Sequence, residues 1–183
     1  MAPRLFLLLA LSLITSLSSI PHLKYRPTSH HAAVWEQMYA KVPAIWKAKK
    51  DLQIREFYTD SWDAFLKREV GALPIEGRII GIYVPSRREI TMPEDLDQSE
   101  CGRTFLHEYG HYLWFEQSTT KQRHDFERIW KSHQAFAASY YSTVSVEEGW
   151  SEYFSYYISD PQYLKDIDIS MFAFFRSVET GQR

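Results

Sequence analysis

The spacing of apolar positions divides the chain into three stretches of different character. Arg4 is followed by an unbroken apolar run, Leu5 to Ile14, and then by the small polar stretch Thr15 to Ser19. Between Ser19 and His31 no hydrophobic period exists, and Pro21 and Pro27 interrupt any regular element, so 19–31 reads as a linker. From Ala32 to Lys50 the placing of Val34, Met38, Val42, Ile45 and Trp46 predicts a helix broken or kinked at Pro43. Gln53 to Thr59 reads as a strand, Asp60 as the cap of a short helix reaching Lys67, and Gly71 to Gly77 as a loop. β-Branched residues mark Arg78 to Val84 as a second strand, and Pro85 with Ser86 turns it into Glu89 to Met92 as a hairpin. Beyond this point only helical periods occur, over about Gly102 to Gln117, Lys121 to Ala138, Val146 to Ile158, and from Pro161 to about Ser177. The expected class is α+β, with a short, partly antiparallel sheet followed by a helical half.

The first stretch concerns destination. A basic residue, about ten apolar residues and a small polar segment form the layout of a signal peptide, and a membrane-spanning helix would need roughly 20 apolar residues. Ser16 and Ser18 place the expected cut after Ser18, giving 1–18 as signal peptide and a secreted or periplasmic product without a permanent membrane span. The remaining ~165 residues suffice for one domain with a real core, expected over 32–183. Aromatic residues make up 16% of the chain, which favours an ordered interior. A net charge of -2 gives no electrostatic basis for binding nucleic acid. Cys101 is the only cysteine, so no disulfide can form within the chain. His30 and His31 read as part of a solvated tail, and His124 and His133 as surface residues.

The predicted helix around position 107 contains His107-Glu108-Tyr109-Gly110-His111, the H-E-x-x-H pattern. Residues four apart on a helix share a face, about 5–6 Å apart at Cβ, so the two imidazoles can converge on one ion. Glu108 then stands beside the ion, where its carboxylate can accept a proton from a zinc-activated water. A catalytic zinc needs a third protein ligand. Gln117 occupies the position where a metzincin would carry a histidine, which excludes that class. A carboxylate is therefore sought downstream. Glu148 and Glu152, again four apart, can supply one ligand and one group that orients a histidine. Ser145 and Glu148 also fit the S-x-x-E capping box, which would turn the Glu148 side chain back toward the helix start.

The stretch His107 to Phe154 resembles the catalytic domain of anthrax lethal factor and the related secreted Pro-Pro endopeptidases. Three features carry the likeness: the H-E-x-x-H helix, a second helix with Glu-x-x-x-Glu followed by aromatics, and a tyrosine seven residues before the first of those glutamates. The resemblance implies a small zincin-like domain holding one Zn2+ per chain through His107, His111 and Glu148. It further implies Glu152 as the carboxylate behind a ligand, Glu108 and Tyr141 as catalytic residues, and a peptide or protein substrate lying along the edge strand of the hairpin. Gly149 and Trp150 stand where relatives usually carry bulky apolar residues, and Tyr140 adjoins Tyr141. A slip of one position would exchange Tyr140 for Tyr141 and Glu147 for Glu148. The expected function is a secreted zinc-dependent endopeptidase. The alternatives are another glutamate-zincin peptidase of broad specificity, and a non-catalytic module using zinc as a staple. The staple is disfavoured because structural sites usually have four protein ligands, often cysteines.

Overall fold

The computed structural model describes residues 21–26, 29–70, 79–133 and 137–182. The expected signal peptide, the loop Gly71 to Gly77 and Arg78 lie outside the described residues. Four strands form one mixed sheet in the order β1-β2-β4-β3: β1 (Leu23–Lys24), β2 (Leu52–Phe57), β3 (Ile82–Val84) and β4 (Glu89–Pro93). β1 and β4 each pair with β2 in parallel, while β3 and β4 form the antiparallel hairpin. Among the described residues seven α-helices accompany the sheet: α1 (Ala32–Lys41), α2 (Thr59–Val70), α3 (Gln98–Glu116), α4 (Thr120–Ser132), α5 (Val146–Ser159), α6 (Pro161–Ile167) and α7 (Ile169–Glu179). The α+β class and the partly antiparallel sheet expected from the sequence are both present. Among the described residues no helix is long and apolar enough to cross a membrane.

The reading of 19–31 as a linker is corrected. Leu23 lies in β1 with its side chain fully buried, and His31 is 2% exposed. The ring of His31 bonds Glu56 through Nδ1 (2.7 Å) and the Leu96 carbonyl through Nε2 (2.8 Å), while its backbone N–H also reaches Glu56. A strand of two residues leaves no periodic signal, and a histidine's partners far along the chain are invisible locally. His30 remains exposed.

Helix boundaries follow from caps. α3 begins at Gln98, four residues earlier than periodicity suggested, because the Asp97 carboxylate accepts from the N–H groups of Ser99 and Glu100. α4 opens with a capping box between Thr119 and Gln122 and ends at Ser132, short of Ala138. The last predicted helix is two. Asp168 interrupts it and caps α7 by accepting from Ser170 and Met171. His133 is half-buried and bonds Asp168, so it is no free surface residue.

α3 is buried on nearly every side, as a helix at the centre of a domain must be. Around α5 the core is dominated by rings: Trp150 packs against Phe126, Phe174 and Phe175 at centroid distances of 5.2–5.8 Å, mostly edge to face. Such pairs contribute roughly 0.5–1.5 kcal/mol each beyond area burial. This interior accounts for cohesion without a disulfide. Cys101 is fully buried in it, and burial pushes its thiol up to about 12, so it is inert packing. A smaller core of Trp62, Phe65 and Leu66 in α2 packs with Phe57, Ile79 and Ile82, and the Trp62 indole donates to the Ile79 carbonyl. It fixes the approach to β3.

α3 and α5 approach closely at Gly110, where a β-carbon would come within 2.6 Å of Ser151 Cα. Gly110→Ala should push the helices apart and cost about 1–3 kcal/mol of stability. Thermal denaturation should show Tm lowered by roughly 2–4 °C per kcal/mol; an unchanged Tm would show that the crossing tolerates more space.

Candidate metal centre

The crossing at Gly110 sets which residues of α5 face α3. Because Gly110 meets Ser151, the residues one turn to either side of these meet as well. Glu148 Oε2 lies 3.0 Å from His107 Nε2 and 3.3 Å from His111 Nε2, and the three donor atoms fall within 4.8 Å of one another. Tetrahedral zinc with bonds of about 2.0–2.2 Å separates its ligand atoms by roughly 3.3–3.5 Å, so the donor set fits a divalent metal. His107, His111 and Glu148 are thus close enough to hold one.

The second oxygen pair of this arrangement supports the first. Glu152 Oε2 lies 3.0 Å from His107 Nδ1, which directs the opposite nitrogen, Nε2, at Glu148. Glu152 also receives the Ser139 hydroxyl. His111 Nδ1, in contrast, is buried and meets no polar partner. Electrostatically the cluster favours a cation. Burial alone would lower the pKa of His107, but its bonds to Glu148 and Glu152 raise it to about 10. Burial would raise Glu148, but the two imidazoles hold its carboxyl down at about 2. A metal ion would take the place of the proton on His107, so binding releases a proton and weakens as pH falls.

Ser145 does cap α5, its hydroxyl accepting from the Glu148 N–H (3.2 Å), yet the Glu148 side chain does not return to close a box. Backbone and carboxylate serve different partners, which resolves the conflict between the capping and ligand readings. Glu147 lines the same cleft as Glu148 but stands outside the ligand group.

Glu108 is buried beside this cluster, pointing toward the sheet. The Tyr83 backbone N–H donates to it, and burial raises its pKa despite the opposing influence of both histidines. Tyr141 begins a 3-10 turn, Tyr141–Thr143, and its ring lies 5.5 Å from that of His107. Its pKa is raised by burial and by the charges of Glu148 and Glu108, so the phenol keeps its proton. Tyr140, 87% exposed, faces solvent. The turn is held by Trp130, whose indole donates to the Ser142 carbonyl (2.7 Å). That indole lies where a side chain at 149 would be, 2.5 Å from a β-carbon built on Gly149. The glycine therefore belongs to the placing of the tyrosine turn, and Trp150 beside it belongs to the core.

A cleft of about 370 Å³ joins these groups to β3, lined by Gly81, Tyr83, Glu108, His111, Phe115 and Tyr141 among others. Among the described residues β3 is the margin of the sheet, paired with β4 alone. Local patterns revealed neither Trp130 nor Phe115, although Phe115 stands four residues after His111 on the same helical face. Comparison of the chain with known protein families, curated proteins and solved structures finds no match.

The donor geometry predicts about one equivalent of divalent metal in the protein. His111→Ala and Glu148→Ala should each reduce bound metal at least about tenfold, measured by elemental analysis after gel filtration. Metal content equal to wild type in both variants would exclude this ligand set.

Proposed function

We propose that this protein is a zinc-dependent endopeptidase, and the observation that carries the proposal is the single carboxylate oxygen of Glu148 shared between His107 Nε2 and His111 Nε2. Two imidazoles and a carboxylate are the donors zinc takes when a position is left for water and substrate. Zinc bound there supplies a Lewis acid that lowers the pKa of water to around 7 and polarises a carbonyl. Glu108 is the general base: its carboxylate, outside the ligand group and in the cleft, takes the proton from water and passes it to the departing amine. Tyr141, with its phenol protonated beside His107, donates to the oxyanion as it develops. The margin of β3 offers backbone groups to which an extended peptide can add as a strand.

The staple reading finds less support. The core described above is closed by its own aromatic packing, and a buried glutamate with raised pKa beside the ligand group has no purpose in a purely structural site. The resemblance to the lethal factor and Pro-Pro endopeptidase group favours peptides with proline near the cut as first substrates. The test is cleavage of a peptide library by purified protein, with and without a zinc chelator. A library left intact by zinc-loaded protein would refute peptidase activity, and cleavage independent of flanking sequence would favour a broad-specificity enzyme.

Two substitutions separate the assigned roles. Glu108→Gln should keep zinc but lose at least about 10²-fold in kcat, since it removes proton transfer and no ligand. Near wild-type turnover would reject Glu108 as the base. Tyr141→Phe should lower kcat by roughly 10²-fold with KM and zinc content nearly unchanged, whereas Tyr140→Phe should have little effect. Steady-state kinetics on a cleaved peptide checks both, and the reverse pattern would move the oxyanion role to Tyr140.

A further inference from the structure

Contacts between α3 and α5 recur every four residues. His111 meets Glu148, His107 meets Glu148 and Glu152, and one turn further Arg103 meets Glu152 and Tyr156. The two helices thus form a ladder whose inner rungs carry the proposed zinc ligands. The outer rung has been given no role so far.

We propose that Arg103 is a positioning residue for the metal centre, holding the Glu152 carboxylate against His107 so that Nε2 is presented to the metal in a fixed orientation. The inference rests on reading His107, His111 and Glu148 as zinc ligands. Glu152, which also receives the Ser139 hydroxyl, turns a different oxygen to each of two charged neighbours: Oε2 is 3.0 Å from His107 Nδ1, and Oε1 is 3.9 Å from Arg103 Nη2. The guanidinium is itself placed, donating to the Tyr156 hydroxyl (3.2 Å) and lying 5.3 Å from the centre of that ring. Tyr156 packs in turn on Tyr163 at 5.0 Å. Arg103 is four residues before His107, and Tyr156 four after Glu152, so helical geometry brings the pairs together.

The need for such a group follows from charge. Glu152 is largely buried, and a buried carboxylate requires compensation. An imidazole that ligates a metal is neutral. Once His107 serves in that way, Arg103 is the remaining cationic side chain against Glu152 among the described residues. His111 has no corresponding carboxylate behind its Nδ1, so ligand orientation depends on the one rung.

Zinc affinity distinguishes this role from a bystander's because the two have opposite signs. Removing a cation that merely sits near the site would tighten binding of a divalent ion by relieving repulsion. Removing a cation that steadies Glu152 would loosen it. Arg103 is itself exposed and 3.9 Å from Glu152, so its removal takes little from the overall fold, which should be preserved in the variants. The experiment measures zinc dissociation constants by chelator competition for wild type, Arg103→Leu and Arg103→Lys, with thermal denaturation of each as the check on folding. Arg103→Leu should weaken zinc about tenfold, the lower end of the loss seen when support behind a ligand is removed. Arg103→Lys should recover part of that loss because it restores the charge. Equal or tighter zinc binding by Arg103→Leu, beside a wild type that binds zinc, would overturn this inference alone, as would a lysine variant no better than leucine. A wild type that binds no zinc would overturn the ligand assignment with it.

Discussion

The close crossing of α3 and α5 at Gly110 and Ser151 is the constraint from which the site follows. With no side chain at 110 the helices approach until Ser151 lies against the α3 backbone. That contact aligns residues at intervals of four along both helices. Had the helices been held further apart, Glu148 could not share one oxygen between His107 and His111. The glycine within the motif thus sets the geometry of the histidines on either side of it.

The surroundings divide the labour. The aromatic core holds α5 rigidly from behind through Trp150 and Phe154, so Glu148 and Glu152 project from a fixed helix. On the opposite side the sheet brings β3 to Glu108, with the Tyr83 N–H on the carboxylate. Trp130 ties the Tyr141 turn to α4. Four separate parts of the chain thus meet at one cleft. Carboxylates of differing environment stand side by side there: Glu148 held ionised by two imidazoles, and Glu108 pushed toward its protonated form by burial. That divergence leaves Glu148 as the anionic member of the donor group.

Local spacing alone was enough to read the helical stretch of H-E-x-x-H, the glutamate pair four residues apart, the β3–β4 hairpin and the α+β class. It also offered Tyr141 and Tyr140 as alternatives, and capping or ligation for Glu148. Their placement came from packing between elements distant in the chain. Tyr141, 49% exposed, lays its ring 5.5 Å from that of His107, on a turn where the Trp130 indole holds the Ser142 carbonyl across the space left by Gly149. Glu148 faces the histidines because Gly110 lets the helices meet, while Ser145 caps the backbone alone. The stretch before α1 showed no period and was legible only as linker, yet Leu23 and His31 are buried by partners at positions 52, 56 and 96. Periodicity reports what one element does with its own neighbours. Contacts across tens of residues depend on how elements approach, which a local pattern does not encode.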